Sequence, residues 1–430
     1  MPKAAITFLI RVIGAGAAIG LQVLLARLMG ADHYGTYVIA WTWMLALGNL
    51  VSLGLADAAV RFVPRYAARG RAGQSAGFFR HGTRVVLASG VAIAAIGIAA
   101  LQVVPLDGSV QTMLIVVAAG LPFVAFEYFL EGMARSLGWF RLTTAVIYIV
   151  RPILIALACL ALHWEGVGLT APLVGTVTIL AVSATGLFTY VALSAHLAPG
   201  KHATQAGPRL RRFWIGAALP MLVVSSLEDL LPALDVMLVG ALLGPADAAV
   251  YFAAGRLLAL AHFAQFAIHV VNGRSMSLAL AGAADVSVER CLQRATAVSA
   301  FATFAALAAT LVAGPVLLGF FGESFVAGTG AMAILAIGLM GRAVAVPCRE
   351  YLLYSGQQRP LLVINGLSLI VLAGLCLLLT PRLGLEGAAT ATAVAQLLRS
   401  LMLIRATRLG SGLLVLPPLG TWLTRRAVPR

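Results

Sequence analysis

Charge is what this sequence has least of. Of its 430 residues only 10% are charged, while 61% are hydrophobic and the mean hydropathy is +0.98. A soluble globular protein is about 25% charged, and a water-facing surface cannot be built from so few ionic side chains. Acids are scarcer than bases, 15 against 30, which leaves a net charge of +15. On a polar surface that excess would point to nucleic acid. Here the basic residues fall in short gaps between apolar runs, so membrane topology explains them and no nucleic-acid partner is expected. Cysteine is also sparse: Cys159, Cys291, Cys348 and Cys376 are scattered, with no CxxC pair and no His at metal spacing. That excludes a disulfide framework or zinc site, and neither metal nor cofactor is expected. Arg11 interrupts what would be the apolar core of a cleaved signal.

Catalytic signatures are missing as well. There is no GxxxxGK[ST] loop, no HExxH and no GxSxG. GAGAAIG at 14–20 has the wrong spacing for a dinucleotide fingerprint and reads as small residues that let helices approach. An enzyme is therefore not expected.

What is present is a succession of apolar runs, each near the roughly 20 residues that cross a bilayer. They lie at 5–29, 35–57, 83–104, 111–133, 142–162, 168–195, 213–242, 247–272, 295–320, 329–354, 361–380 and 385–406. The runs are continuous rather than alternating, which favours helices over a barrel. The reading is an all-α membrane protein with about twelve transmembrane helices.

Basic residues divide unevenly between the two sets of connecting segments. The set containing the N-terminus holds Lys3, the cluster Arg61 to Arg84, Arg135, Arg141, the cluster Lys201 to Arg212, Arg274, Arg290, Arg294, Arg359 and the C-terminal arginines. The opposite set holds Arg382, beside Asp32, Asp107, Glu165, Asp247, Glu323 and Glu386. This bias predicts that both termini lie in the cytoplasm of a bacterial inner membrane.

The chain also repeats itself. LARLMGADHYGTYVIA at 25–40 aligns with VGALLGPADAAVYFAA at 239–254, EYFLEG at 127–132 with EYLLYSG at 350–356, and GLTA at 168–171 with GLEGAA at 384–389. The consistent offset predicts two parallel six-helix bundles, 1–205 and 206–410, followed by a basic cytoplasmic tail at 411–430. In secondary transporters, parallel repeats of this kind hold substrate between the halves, in a central cavity.

Charges inside the spans are the candidate site. Arg11, Arg151, Arg256 and Arg342 lie well within apolar runs, where each would cost about 2.5–3.5 kcal/mol if left uncompensated. A shared cationic cavity would suit an anionic substrate, since the guanidinium fork binds phosphate oxygens in pairs. Glu127, Asp235 and Glu350 are candidate counter-charges or coupling groups, beside Glu131, Glu228 and Asp229. His262 and His269 share a polar stripe and are candidates for proton relay. Plain structural pairing between helices is the competing reading of all these charges. Arg27 lies near the outer end of its helix, where it snorkels or caps.

The stretch 21–70 resembles the opening of the polysaccharide-export family, in the superfamily that also contains MATE exporters and the lipid II flippase. The resemblance is carried by Leu25-Ala26-Arg27-Leu28-x-Gly30, by Tyr34-Gly35-x-Tyr37, by Leu53-Gly54-Leu55, and by Arg61-Phe62-Val63-Pro64-Arg65-Tyr66. It implies an ion-coupled flippase that carries oligosaccharide units on undecaprenyl pyrophosphate across the membrane, for O-antigen or exopolysaccharide synthesis. Its partners would be the bilayer, the lipid-linked oligosaccharide, a polysaccharide polymerase and a chain-length regulator. The alternatives are a MATE-type drug or cation antiporter and a non-transporting membrane component of a polysaccharide synthase.

The charge asymmetry makes a topological prediction. Reporter fusions after residues 70, 205 and 285 should read cytoplasmic, and fusions near 107, 165 and 325 periplasmic; a periplasmic signal at 205 would break the twelve-span arrangement.

Overall fold

The computed structural model describes residues 3–103, 108–197, 207–261, 287–355 and 357–412, and among these every regular element is helical. Helices are what the composition demands. In hydrocarbon no water satisfies a backbone N–H or C=O, and a helix satisfies both within its own segment.

The first helix, α1 (Lys3–Val51), breaks at Gly30, whose φ of 75° and ψ of 167° are open to glycine and costly for other residues. It therefore supplies the first two crossings. The last, α12 (Gln358–Ser411), breaks in the same way at Gly384 and supplies two more. Between them lie α2 (Leu55–Ala68), α3 (Ala72–Val103), α4 (Gly108–Ser136), α5 (Phe140–Ala145), α6 (Arg151–Trp164), α7 (Ala171–His196), α8 (Pro208–Leu242), α9 (Pro245–Leu258), α10 (Val288–Phe321) and α11 (Thr329–Tyr354). A π-helical turn at Val146–Val150 joins α5 to α6 as one crossing, and a 3-10 turn at Glu323–Gly328 precedes α11.

Eight described helices are long and apolar enough to cross a membrane, two of them the bent α1 and α12. Counting each bent helix twice gives ten crossings. With α8, and α9 at the start of the expected eighth run, this accounts for every apolar run in the sequence. The run expected at 35–57 ends earlier than its composition suggested. Leu53 takes a positive φ of 54°, the chain turns, and α2 begins as a separate helix at Leu55.

Packing divides the chain into two compact units, Met1–Ala253 with Leu318–Ala327, and Ala254–Leu317 with Gly328–Arg430. Packing and sequence repetition divide the chain differently: α8 packs on α1 and α2 within the first unit. The core of that unit gathers Phe62, Tyr66, Phe78, Phe79, Phe129 and Trp214 from α2, α3, α4 and α8. Trp214 Nε1 donates to the Tyr66 hydroxyl at 2.8 Å, and the Trp214 ring meets Phe78 edge-on at 5.1 Å. The first unit also holds the last turn of α10, where Arg27 Nε and Nη2 donate to the carbonyls of Phe320 and Gly319, each at 2.8 Å. These carbonyls have no partner within their own helix, and a cation at a helix C-terminus is favoured by the dipole. In the second unit Leu292, Cys348, Leu352, Ile364 and Leu403 form a smaller core. There Ser299 donates to the Ala343 carbonyl at 3.0 Å, and Arg399 Nε to Asn365 Oδ1 at 2.9 Å.

Close helix approach depends on small residues. A Cβ at Gly132 of α4 would collide with the backbone of Ala56 in α2, whereas one at Gly186 of α7 would meet nothing within 4 Å. Gly132→Ala should therefore cost about 1–3 kcal/mol through overpacking and lower the melting temperature of the purified protein. Gly186→Ala should leave it unchanged or raise it.

Candidate functional site

The polar groups of the first unit converge on α1, α4, α6 and α8. Arg151 opens α6 directly after the π turn, with Pro152 as its second residue. A π turn shifts the helical phase by one residue, and such turns concentrate at functional sites. The shift sets the buried Arg151, 7% exposed, against Glu127 of α4, and its Nη2 forms an ion pair with Glu127 Oε1. Arg151 Nε is buried and finds no hydrogen-bond partner among the described residues.

Arg11 of α1 sits nearby. Gly14, one turn further along, lets α1 press against Tyr148 in the π turn: a Cβ there would lie 2.7 Å from the Tyr148 Cβ. Tyr148 and Glu131 are the electrostatic neighbours of the half-buried Arg11. Glu131 also lies 3.9 Å from Arg135, one turn along α4. On the α8 side, Asp229 Oδ2 accepts from Asn49 Nδ2 at 2.7 Å, and its charged neighbours are Glu228, Asp57 and Glu131. Tyr148 and Asp229 both keep exposed faces.

The result is a belt of two arginines and five carboxylates at the level of the spans. One guanidinium in it is fully enclosed and has a donor to spare. Chemically, such a group offers a second oxyanion a charge-assisted hydrogen bond, in competition with its resident carboxylate.

The remaining sequence-predicted residues lie elsewhere. Asp235, in the first unit, is buried; its Oδ1 accepts from the Val236 amide at 2.8 Å and its Oδ2 from the Tyr251 hydroxyl at 3.2 Å. Arg256, exposed in α9, and Arg342, half-buried in α11, belong to the second unit, as does Glu350, which is 3% exposed. His262 and His269 lie outside the described residues. The structure thus brings together Arg11, Arg151 and Glu127. Three groups of the belt, Asn49, Asp57 and Tyr148, are not among the sequence-predicted residues, although a lone Asn inside the run 35–57 is itself a signal of polar pairing. Gln22, on the same face of α1 as Arg11 by helical spacing, accepts instead from the Tyr34 hydroxyl at 2.8 Å, across the Gly30 bend.

The fold has solved counterparts. An inward-facing multidrug-resistance MATE transporter of the MOP superfamily matches with a TM-score of 0.72 at 14% identity, covering 95% of this chain and 98% of the other. The lipid II flippase MurJ, in an inward closed conformation, matches with a TM-score of 0.72 at 12% identity, over 94% and 87%. A MOP-superfamily transporter from Pyrococcus furiosus, described as having a binding pocket of reversed polarity, gives 0.68 at 14% identity, over 95% and 94%. No curated protein sequence matches the chain. The chain shares the fold of these transporters and is a multi-pass, all-helical membrane protein. Residues 2–271 match the model of one family, and the chain belongs to it: the family described as Polysaccharide biosynthesis protein.

The buried pair generates a stability prediction. Glu127→Ala strands the Arg151 guanidinium in a dry setting and should cost about 3–5 kcal/mol, read as a lower melting temperature and lower yield. Glu127→Ala combined with Arg151→Ala removes both charges and should recover most of that loss.

Proposed function

We propose that this protein is a flippase that carries oligosaccharide units on undecaprenyl pyrophosphate from the cytoplasmic to the periplasmic leaflet of the inner membrane, feeding O-antigen or exopolysaccharide synthesis. Family membership supports the pathway, and the MOP fold is one in which a lipid flippase is known. The observation that carries the site is Arg151: enclosed, paired to Glu127, and holding an Nε donor without a partner.

In this reading Arg11 and Arg151 take the pyrophosphate on the side of the N-terminal half, 1–205, and Arg256 and Arg342 on the side of the C-terminal half, 206–410. The halves expose a central cavity to each leaflet in turn. Glu127, with Asp235, Glu350, His262 and His269, supplies the counter-charges through which an ion gradient drives return of the empty carrier. A polysaccharide polymerase and a chain-length regulator act on the delivered unit. Pyrophosphate displaces Glu127 from Arg151 because a dianionic group with several oxygens fills more of the guanidinium's donors than a single carboxylate does.

The carboxylates Asp57, Glu131, Glu228 and Asp229 favour a second reading, a MATE-type antiporter for cationic drugs. The two readings separate in one strain. Arg151→Ala combined with Glu127→Ala, once its melting temperature confirms the recovery expected of the paired deletion, should abolish surface glycan and accumulate lipid-linked oligosaccharide in the cytoplasmic leaflet. Arg151→Lys should restore export partly, since charge survives without the planar fork. Normal surface glycan in the double variant defeats the flippase site. Altered susceptibility to cationic drugs with intact glycan establishes the antiporter.

A further inference from the structure

One end of the first unit carries arginines to which the fold supplies no counter-ions. The apolar side of α2, with Phe62, Val63 and Tyr66, is buried in the aromatic core. Its other side presents Arg61 and Arg65, both exposed. Exposed Arg84 of α3 and half-exposed Arg211 of α8 join them. The junction is held by the core itself: the Phe62 and Phe213 rings are 5.5 Å apart, and the His81 ring lies 6.0 Å from Trp214. Arg84 and Arg211 are the charged neighbours of His81, whose Nε2 is buried without a partner. The sequence has no acidic residue between Asp57 and Asp107, and none between Glu165 and Glu228. Among the described residues, none of Arg61, Arg65, Arg84 and Arg211 forms an ion pair.

Membrane orientation alone asks for positive charge near the spans. It does not ask that the charge be mounted on a packed helix, nor that apolar side chains stand exposed among the arginines. Both are found here. Phe213 is 55% exposed and Val60 43%, and the Arg61 guanidinium carbon lies 5.6 Å from the centroid of the Phe62 ring. Guanidinium groups interleaved with exposed rings and aliphatic carbons match the headgroup layer of a bilayer, where phosphate and glycerol–acyl surface lie side by side. A free phosphate has no use for the apolar part.

We propose that this face binds anionic phospholipid of the adjoining leaflet, with Arg61, Arg65, Arg84 and Arg211 taking headgroup phosphate oxygens while Phe213 and Val60 meet the glycerol and upper acyl chain. The bound lipid supplies the counter-charge the fold omits, so it also stabilises the packing of α2 on α3 and α8. The site is separate from the Arg151 belt and stands whatever that belt transports.

The test uses the full chain in nanodiscs of phosphatidylcholine, with or without an equal part of phosphatidylglycerol. Two quantities are read, the melting temperature and the dissociation of a fluorescent phosphatidylglycerol. The wild type should melt higher with phosphatidylglycerol present and hold the label in a salt-sensitive manner. R61Q/R65Q/R84Q/R211Q should lose that rise and weaken label binding by about tenfold or more, while melting like the wild type in phosphatidylcholine. R359Q/R405Q/R408Q, which removes exposed charge from the second unit, should keep both responses. Should the fourfold variant fail to fold, R61Q/R65Q and R84Q/R211Q made separately should each weaken the label by about threefold or more, and no effect in either overturns the site. Three other outcomes overturn it too: an unchanged lipid response in the fourfold variant, an equal loss in the second-unit control, or displacement of the label by inorganic pyrophosphate as readily as by phosphatidylglycerol vesicles.

Discussion

A backbone amide or carbonyl inside a bilayer has no solvent to bond with, and each one left unsatisfied costs several kcal/mol, on the order of 2–7. Every described crossing answers that constraint with a continuous helix, and departures from helix are confined to places that can tolerate them. Gly30 and Gly384 bend α1 and α12 near the ends of crossings. The last carbonyls of α10 are taken up by Arg27 rather than left bare. The π turn before Arg151 lies against α1, where Gly14 packs on Tyr148. Irregular backbone in hydrocarbon persists only where protein supplies the missing partners, and the end of α10 follows that rule.

The same economy governs side chains. Most of the first unit's interior is aromatic and aliphatic, and its arginines have been sorted into two environments. Arg151 is enclosed and paired, which is costly to assemble and costly to break. The arginines of α2 and its neighbours are exposed and unpaired, cheap to keep wherever an anionic surface lies beside them. Carboxylates follow the division: Glu127, Glu131, Glu228, Asp229 and Asp57 are drawn into the belt with Asn49, and among the described residues none forms an ion pair with the arginines of the basic end.

Much of this could be read from residue order, because hydropathy and charge report directly on a bilayer. The apolar runs foretold the crossings. Arg27, placed by helical phase away from Arg11, was expected to snorkel or cap, and it caps. Other features had no local signature. The run 35–57 swallowed the start of α2 because Leu55, Ala58 and Ala59 are as apolar as a span, and the turn that separates them depends on Leu53 adopting an unusual φ. The Asn49–Asp229 bond joins residues 180 positions apart, and no periodicity within either helix discloses its partner. Arg11 and Arg151 were singled out by cost alone. That cost could say each needed compensation; that Arg151 finds it in Glu127 emerged only once the fold brought the two side chains together.

The pairing of Glu127 with Arg151 also bears on how the chain enters the membrane. The two residues sit on consecutive crossings, and each crossing alone would carry an ionised group into lipid at about 2.5–3.5 kcal/mol on insertion scales. Delivered together, they enter already neutralised as a pair. The pair therefore favours the fourth and fifth crossings entering the bilayer as one hairpin over either entering alone. The ion pair thus couples two neighbouring crossings energetically, so that neither is as stable in lipid by itself as the two are together.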